Sequence, residues 1–280
     1  MNTRRSLFRR LIDSRYNEEE QARFRALPSR QNEYGYDAFG FHREDLKVGL
    51  LFARFMFYTY FRGKAFGVEN IPAGRVMLVA NHSGQLPYDG VALAAAAFFE
   101  ATPPRVLRAM VERFVPTLPF VGTTLSRWGQ VLGTVENCQR LLEDEECILV
   151  FPEGSRGISK PFTRRYQLAD FGLGFIRLAL ASKAPILPVA VVGAEEQAPA
   201  VNVEPLARLL GVPAFPLMPF PPFFPAVPLP SRYRIYFGEP RCFAGDPDDD
   251  DEVIAEMARQ VKLSIESMIR VGRKERGPGL

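Results

Sequence analysis

The sequence predicts an α/β protein: a mostly parallel central sheet flanked by helices, preceded by an N-terminal helical segment. Three observations carry this expectation. From residue 65 onward, short apolar, β-branched runs alternate with stretches of helical character, as in sheets whose parallel strands are joined by crossover helices. The length of 280 residues suits one sizeable domain with an added segment. A composition of 47% hydrophobic and 24% charged residues supplies a large core.

Residues 1–63 read as a polar, partly helical appendage and residues 64–280 as the main domain. The start carries Arg4, Arg5, Arg9, Arg10 and Arg15, which fits either an anionic surface or a solvated basic tail. Residues 46–62 read as a helix rich in Phe, Tyr and Leu, either lying at an interface or packed on the main domain. Its apolar run from Val48 to Phe61 is interrupted by Arg54 and falls short of the roughly 20 residues that cross a bilayer. The basic start leads into a polar stretch, unlike a signal peptide. Strands are expected at 75–80, 105–109, 147–151, 186–192 and 232–237. Helices are expected at 90–100, 137–145, 166–182 and 250–271, with Gly172 and Gly174 weakening the third. In the Pro- and Phe-rich stretch 212–230, proline prevents a regular helix or a central strand, which points to a loop that is either packed down or in contact with something apolar.

A net charge of +3 gives no support to nucleic-acid binding. Three cysteines without framework spacing (Cys138, Cys147 and Cys242) indicate reduced thiols. Two histidines without ligand spacing argue against a zinc-enzyme reading.

The chemistry concentrates in two loops. The first, Asn81-His82-Ser83-Gly84-Gln85-Leu86-Pro87-Tyr88-Asp89-Gly90, follows the strand RVMLVA directly. Ligands in open α/β sheets bind at the carboxyl ends of strands, so His82 projects into that crevice as a proton-transfer group. Asp89 is suited to orient the imidazole or to cap the following helix, and the two roles are compatible. His42 lies in a polar segment and reads as a surface or packing residue. The second loop, Phe151-Pro152-Glu153-Gly154-Ser155-Arg156-Gly157, follows the strand CILVF. Gly154 and Gly157 permit close backbone approach. Arg156 is suited to grip a phosphate, and Lys160, Arg164 and Arg165 enlarge the positive field. A plain turn with solvated charges is the bland reading of this second loop.

Taken together, NHSGQLPYDG, FPEGSRG and the later strand Ile186-Leu187-Pro188-Val189-Ala190 resemble the glycerolipid acyltransferase family, the lysophosphatidate acyltransferase-like enzymes with NH-x-D and F-P-E-G-T/S-R motifs. The resemblance covers about residues 65–240 and makes 64–280 the acyltransferase catalytic domain. It implies His82 as general base with Asp89 orienting it, and Glu153, Gly154, Ser155, Arg156 and Lys160 in acceptor binding. It implies acyl-CoA or an acyl carrier protein as donor, a glycerolipid acceptor, and no metal or other cofactor. The acceptor it favours is 1-acylglycerol-3-phosphate or another lysophospholipid, with a neutral mono- or diacylglycerol as the alternative. Six residues separate His82 from Asp89 where the family has four, so this loop bulges. The block between the motifs reads Gly133-Thr134-Val135-Glu136-Asn137 where the family often has an arginine. Glu136 would repel a phosphate if it faced the site, and Arg127 or Lys160 could take the arginine's place. The expected location is peripheral, on the cytoplasmic face of the cell membrane. EGSRG lacks the first glycine of a G-x-S-x-G nucleophile elbow, which argues against a lipid hydrolase. A non-catalytic membrane module has no need of both motifs.

Overall fold

The computed structural model describes residues 2–28, 30–82, 87–154, 157, 160, 162–197, 201–210, 216–217 and 228–277. The amino-terminal segment forms α1 (Asn2–Asp13), α2 (Glu18–Ala26) and α3 (Arg43–Arg54), the last running into a π-helical turn at Phe55–Tyr60. Strand β1 (Lys64–Phe66) follows, then β2 (Val76–Ala80), α4 (Tyr88–Phe99), β3 (Leu107–Val111), α5 (Val121–Arg127), β4 (Val131–Leu132) and α6 (Val135–Glu143). Next come β5 (Cys147–Val150), α7 (Gly174–Ser182), β6 (Ile186–Val192), β7 (Val201–Asn202), α8 (Glu204–Leu210) and β8 (Pro216–Leu217). Strand β9 (Arg234–Phe237) and the long helix α9 (Asp251–Arg276) close the fold.

Seven strands form one sheet in the order β1-β9-β6-β2-β5-β3-β4, parallel except where β9 runs against β6. Strand β2 lies at the centre, with Val76 opposite Cys147 on β5 and Met77 opposite Ile186 on β6. Its apolar side chains serve both faces, as expected of a parallel strand covered on each side. Val76, Leu78 and Ala80 pack with α4 and the π-helical turn, through Leu93, Ala96, Met56 and Phe57. Met77 and Val79 pack on the other face with Leu141 and Leu142 of α6, Ile176 of α7 and Ile254, Val261 and Ile265 of α9. The spacing of three and four among Ile254, Ala258, Val261, Ile265 and Ile269 gives α9 its single buried stripe.

The amino-terminal helices dock on this frame. Tyr16, Phe24, Phe41, Leu46 and Leu50 share a core with Phe98 of α4. The helix expected at 46–62 starts earlier, at Arg43, with Glu44 and Asp45 in its first turn, where acids suit the helix dipole. It buries Leu50, Ala53, Met56 and Phe57 and leaves Phe52 and Phe55 exposed. Among the described residues, no helix is long and apolar enough to cross a membrane.

One expected helix is corrected. In place of 166–182, helix α7 begins at Gly174. Residues 166–173 are irregular: Tyr166 adopts a φ of +63°, outside the right-handed helical region, and backbone N–H groups bond elsewhere in the chain, Tyr166 to Glu195 (2.8 Å), Ala169 to Glu153 (2.7 Å) and Gly172 to the Pro152 carbonyl (3.0 Å). The stretch 212–230 lies outside the described residues except for 216–217 and 228–230.

Leu78, fully buried on the central strand, provides a test of the core. Leu78→Ala should lower unfolding stability by about 2–5 kcal/mol, measured as a fall in urea midpoint at constant slope.

Candidate active site

The parallel strands β2, β5, β3, β4 and β6 all end at one edge of the sheet, and the loops that leave that edge build the site. Asn81 comes first after β2 and is fully buried. Its amide oxygen accepts the Val191 N–H at 2.7 Å and its amide nitrogen donates to the Val191 carbonyl at 3.0 Å. The side chain thus completes the pairing of β2 with β6 just where the backbone turns away, which fixes the point of departure for His82.

His82 is mostly buried and Asp89 fully so; His82 Nδ1–H donates to Asp89 Oδ2 at 2.7 Å. With Nδ1 carrying the proton toward the carboxylate, the lone pair is held on Nε2. Asp89 Oδ1 accepts the N–H of Gly90 at 2.7 Å, and the carboxylate sits in the first turn of α4, where the helix dipole favours a negative charge. Asp89 is not the cap residue, since α4 begins at Tyr88 with Pro87 before it. The bulged six-residue spacing therefore still brings the imidazole to the acid. Phe151 stacks on the imidazole, with centroids 4.1 Å apart and planes 19° from parallel, and sets the ring's tilt.

Glu153 is buried beneath this pair. Its Oε1 accepts the backbone N–H of His82 at 3.1 Å, and its Oε2 accepts from Lys160 Nζ at 3.2 Å and from the Ala169 N–H at 2.7 Å. Gly157 explains how closely the two loops approach. A Cβ there would lie 3.1 Å from both the Cβ and the carbonyl oxygen of His82 and 3.0 Å from the Cβ of Glu153. Gly154 adopts a φ of +55° with open space around it, the conformation that glycine adopts at least cost.

Lys160 Nζ also reaches the Gln167 carbonyl (3.1 Å) and Glu195 Oε1 (3.3 Å), so its ammonium is taken up by internal acceptors. Glu195 Oε2 in turn accepts the Tyr166 N–H. Burial raises the Glu195 pKa from 4.5 to about 7, with Lys160 opposing the rise. Beyond it, the Tyr166 hydroxyl bonds Glu196, whose other oxygen accepts from Arg276 of α9 at 2.6 Å. Sequence reasoning singled out none of Asn81, Phe151, Glu195 and Glu196 for these parts. Glu195 and Glu196, which follow the apolar strand β6 after two intervening residues, carried a signal in their position at a strand's carboxyl end.

Of the sequence-predicted site residues, the structure brings together His82, Asp89, Glu153, Gly154 and Lys160; Ser155 and Arg156 lie outside the described residues. Arg127 pairs with Asp45 at 3.5 Å. Glu136 is exposed in the first turn of α6, its carboxyl held below the usual range by hydrogen bonds from its own backbone and from Thr134. His42 stacks on Tyr36, with ring centroids 4.7 Å apart, as a packing residue. Among the described residues, no cluster of His, Cys, Asp and Glu could hold a metal.

Two outcomes follow from this geometry. Asn81→Leu leaves the buried N–H and carbonyl of Val191 unpaired and should destabilise the fold by about 2 kcal/mol or more, read by chemical denaturation. Glu195 has a folded pKa above its ordinary value, so its contribution to stability is complete below about pH 4.5 and is lost as pH rises through about 7. Glu195→Gln should therefore flatten the fall in melting temperature across that interval; an unchanged pH profile would contradict the burial argument.

Known proteins resemble the chain as follows. A family model described as Acyltransferase matches residues 64–192, which hold both motif loops. A Mycobacterium tuberculosis protein of uncharacterised function is 42% identical over 248 residues, covering 85% of this chain and 69% of the relative. A probable 1-acyl-sn-glycerol-3-phosphate acyltransferase of Mycoplasma pneumoniae is 25% identical over 154 residues, covering 52% of this chain and 55% of the relative. The crystal structure of the 1-acyl-sn-glycerophosphate acyltransferase PlsC from Thermotoga maritima superposes with a TM-score of 0.56 at 18% identity, covering 95% of this chain and 87% of that one. It shares the fold. The chain is an acyltransferase and belongs to the acyltransferase family whose model spans both of its motif loops.

Proposed function

We propose that this enzyme moves a fatty acyl group from a thioester, acyl-CoA or acyl carrier protein, to the free hydroxyl of a lysophospholipid, with 1-acylglycerol-3-phosphate as the leading acceptor. The contact that carries the reading is the 2.7 Å hydrogen bond from His82 Nδ1 to the buried Asp89 carboxylate. A thioester is already activated, so the missing element is a deprotonated hydroxyl. Nε2 of His82 takes the hydroxyl proton as the oxygen attacks the thioester carbonyl. The tetrahedral oxyanion collapses, the carbon–sulfur bond breaks, and the departing thiolate takes the proton back from the imidazolium. Asp89 stabilises the imidazolium in between, and no acyl-enzyme forms. General-base help of this kind is worth about 10²–10⁴-fold.

Glu153 and Lys160 belong here to positioning, because their charged groups are engaged with the protein. Grip on the acceptor phosphate falls to Arg156, the bidentate-capable cation of the second loop. The enzyme works as a peripheral protein on the cytoplasmic face of the cell membrane, where a lysophospholipid acceptor lies within reach of a thioester donor delivered from the water phase.

Radiolabelled acyl transfer to lysophosphatidate and to monoacylglycerol, run in parallel, tests the reading. Wild type should form phosphatidate. His82→Ala should lower kcat by about 10²–10⁴-fold, and Asp89→Asn should lower it by at least about 10²-fold, with the fold intact by circular dichroism. Full activity in His82→Ala would overturn the base assignment. Acylation of monoacylglycerol alone would move the acceptor to the neutral glycerides.

A further inference from the structure

Phe120 closes the loop between β3 and α5, directly before the helix, and is 89% exposed. Its backbone has φ +64° and ψ −35°, and the Val121 N–H bonds the Pro119 carbonyl at 2.7 Å. This is a γ-turn of positive φ, a rare and strained conformation that a bulky aromatic residue adopts only at a cost. The strain secures no packing for the ring, because it turns the ring into water. Leu118 and Val121, on either side, are exposed as well. An apolar cluster held outward by strained backbone marks a contact surface.

Its position and charge say what it contacts. The loop leaves the carboxyl end of β3, the same sheet edge from which the His82 loop leaves β2, with only β5 between the two strands; that is a separation of about 10 Å. From Arg113 to Val135 the chain contains no acidic residue, and Arg113 is exposed at the loop's base. On the same edge, Phe162, Arg164 and Arg165 are exposed between Lys160 and Tyr166, which Glu195 ties down. The Arg165 guanidinium lies 4.7 Å from the Phe162 ring centroid. Aromatic rings flanked by arginines match a bilayer's apolar interior and anionic headgroups.

We propose that the β3–α5 loop inserts Phe120 into an anionic lipid bilayer, so that the membrane meets the rim on which His82 lies. The inference rests on the membrane reading given above and names the face that makes the contact. It assigns that contact to this loop rather than to α1, whose Leu7, Phe8 and Leu11 are also exposed.

Sedimentation with vesicles of mixed phosphatidylglycerol and phosphatidylcholine tests it, using wild type, Phe120→Asp and, on α1, Phe8→Asp. Phe120→Asp should weaken binding by about 10- to 100-fold and lower transfer to vesicle-borne acceptor in step. Transfer to a short-chain acceptor dispersed in water should stay at the wild-type level. Phe120→Trp should shift its emission to the blue on adding vesicles, relative to the wild type with its single Trp128. Wild-type binding by Phe120→Asp, binding lost only in Phe8→Asp, or a wild type that ignores vesicles would each overturn the proposal. So would light scattering that shows Phe120→Asp breaking a dimer, which would make the occupant a second copy. Failure of the acyl-transfer reading would appear separately, as a wild type inactive on the dispersed acceptor.

Discussion

The buried carboxylate of Glu153 ties together three stretches of chain that are far apart in sequence. One oxygen holds the backbone of His82; the other holds Lys160 and the backbone of Ala169. The loop after β2, the loop after β5 and the irregular segment before α7 therefore meet at one group. Without it, the His82 backbone would be held only through its neighbour Asn81, while the bond to Asp89 and the Phe151 stack constrain the imidazole alone. Gly157 belongs to the same constraint, since any side chain there would push against His82 and Glu153 together.

Burying such a group has a consequence. Lys160 stands between two carboxylates, Glu153 and Glu195, and one ammonium cannot neutralise both. Burial raises the Glu195 pKa to about 7, with Lys160 opposing the rise and the Glu153 charge adding a smaller push. An ion pair of this kind adds little net stability, because desolvation offsets attraction. Its value lies in geometry: it fixes the distance from the β5 loop to the end of β6 and, through Tyr166, Glu196 and Arg276, to α9.

The central strands were legible in the sequence because they are buried on both faces and read as unbroken apolar runs, as in Val76–Ala80 and Ile186–Val192. Strands β1 and β4 were not, being three and two residues long and too short for a period to appear. The His82–Asp89 contact could be anticipated from two titratable residues on one loop after a strand. The task of Lys160 could not, since a sequence does not distinguish a cation that faces a ligand from one that faces a carboxylate some 35 residues away. The start of α7 was misplaced for the same reason. The apolar pattern of 166–182 supports a helix, but the left-handed backbone at Tyr166 and the bond from the Gly172 N–H to the distant Pro152 carbonyl break its first half.

The distribution of polar groups follows from what the reaction requires. In the mechanism proposed above the thioester needs no nucleophilic side chain, so the scaffold can commit its charges to one another and to backbone. Asp89 is engaged by His82 and Gly90, Glu153 by three donors, and Lys160 by three acceptors. What this arrangement leaves for chemistry is a basic nitrogen, Nε2 of a ring clamped by Asp89 on one edge and by Phe151 on one face. A rigid base loses little free energy to reorganisation as charge develops. That rigidity would suit the substrates proposed above, whose long, mobile chains can settle in many ways while the proton acceptor stays in place.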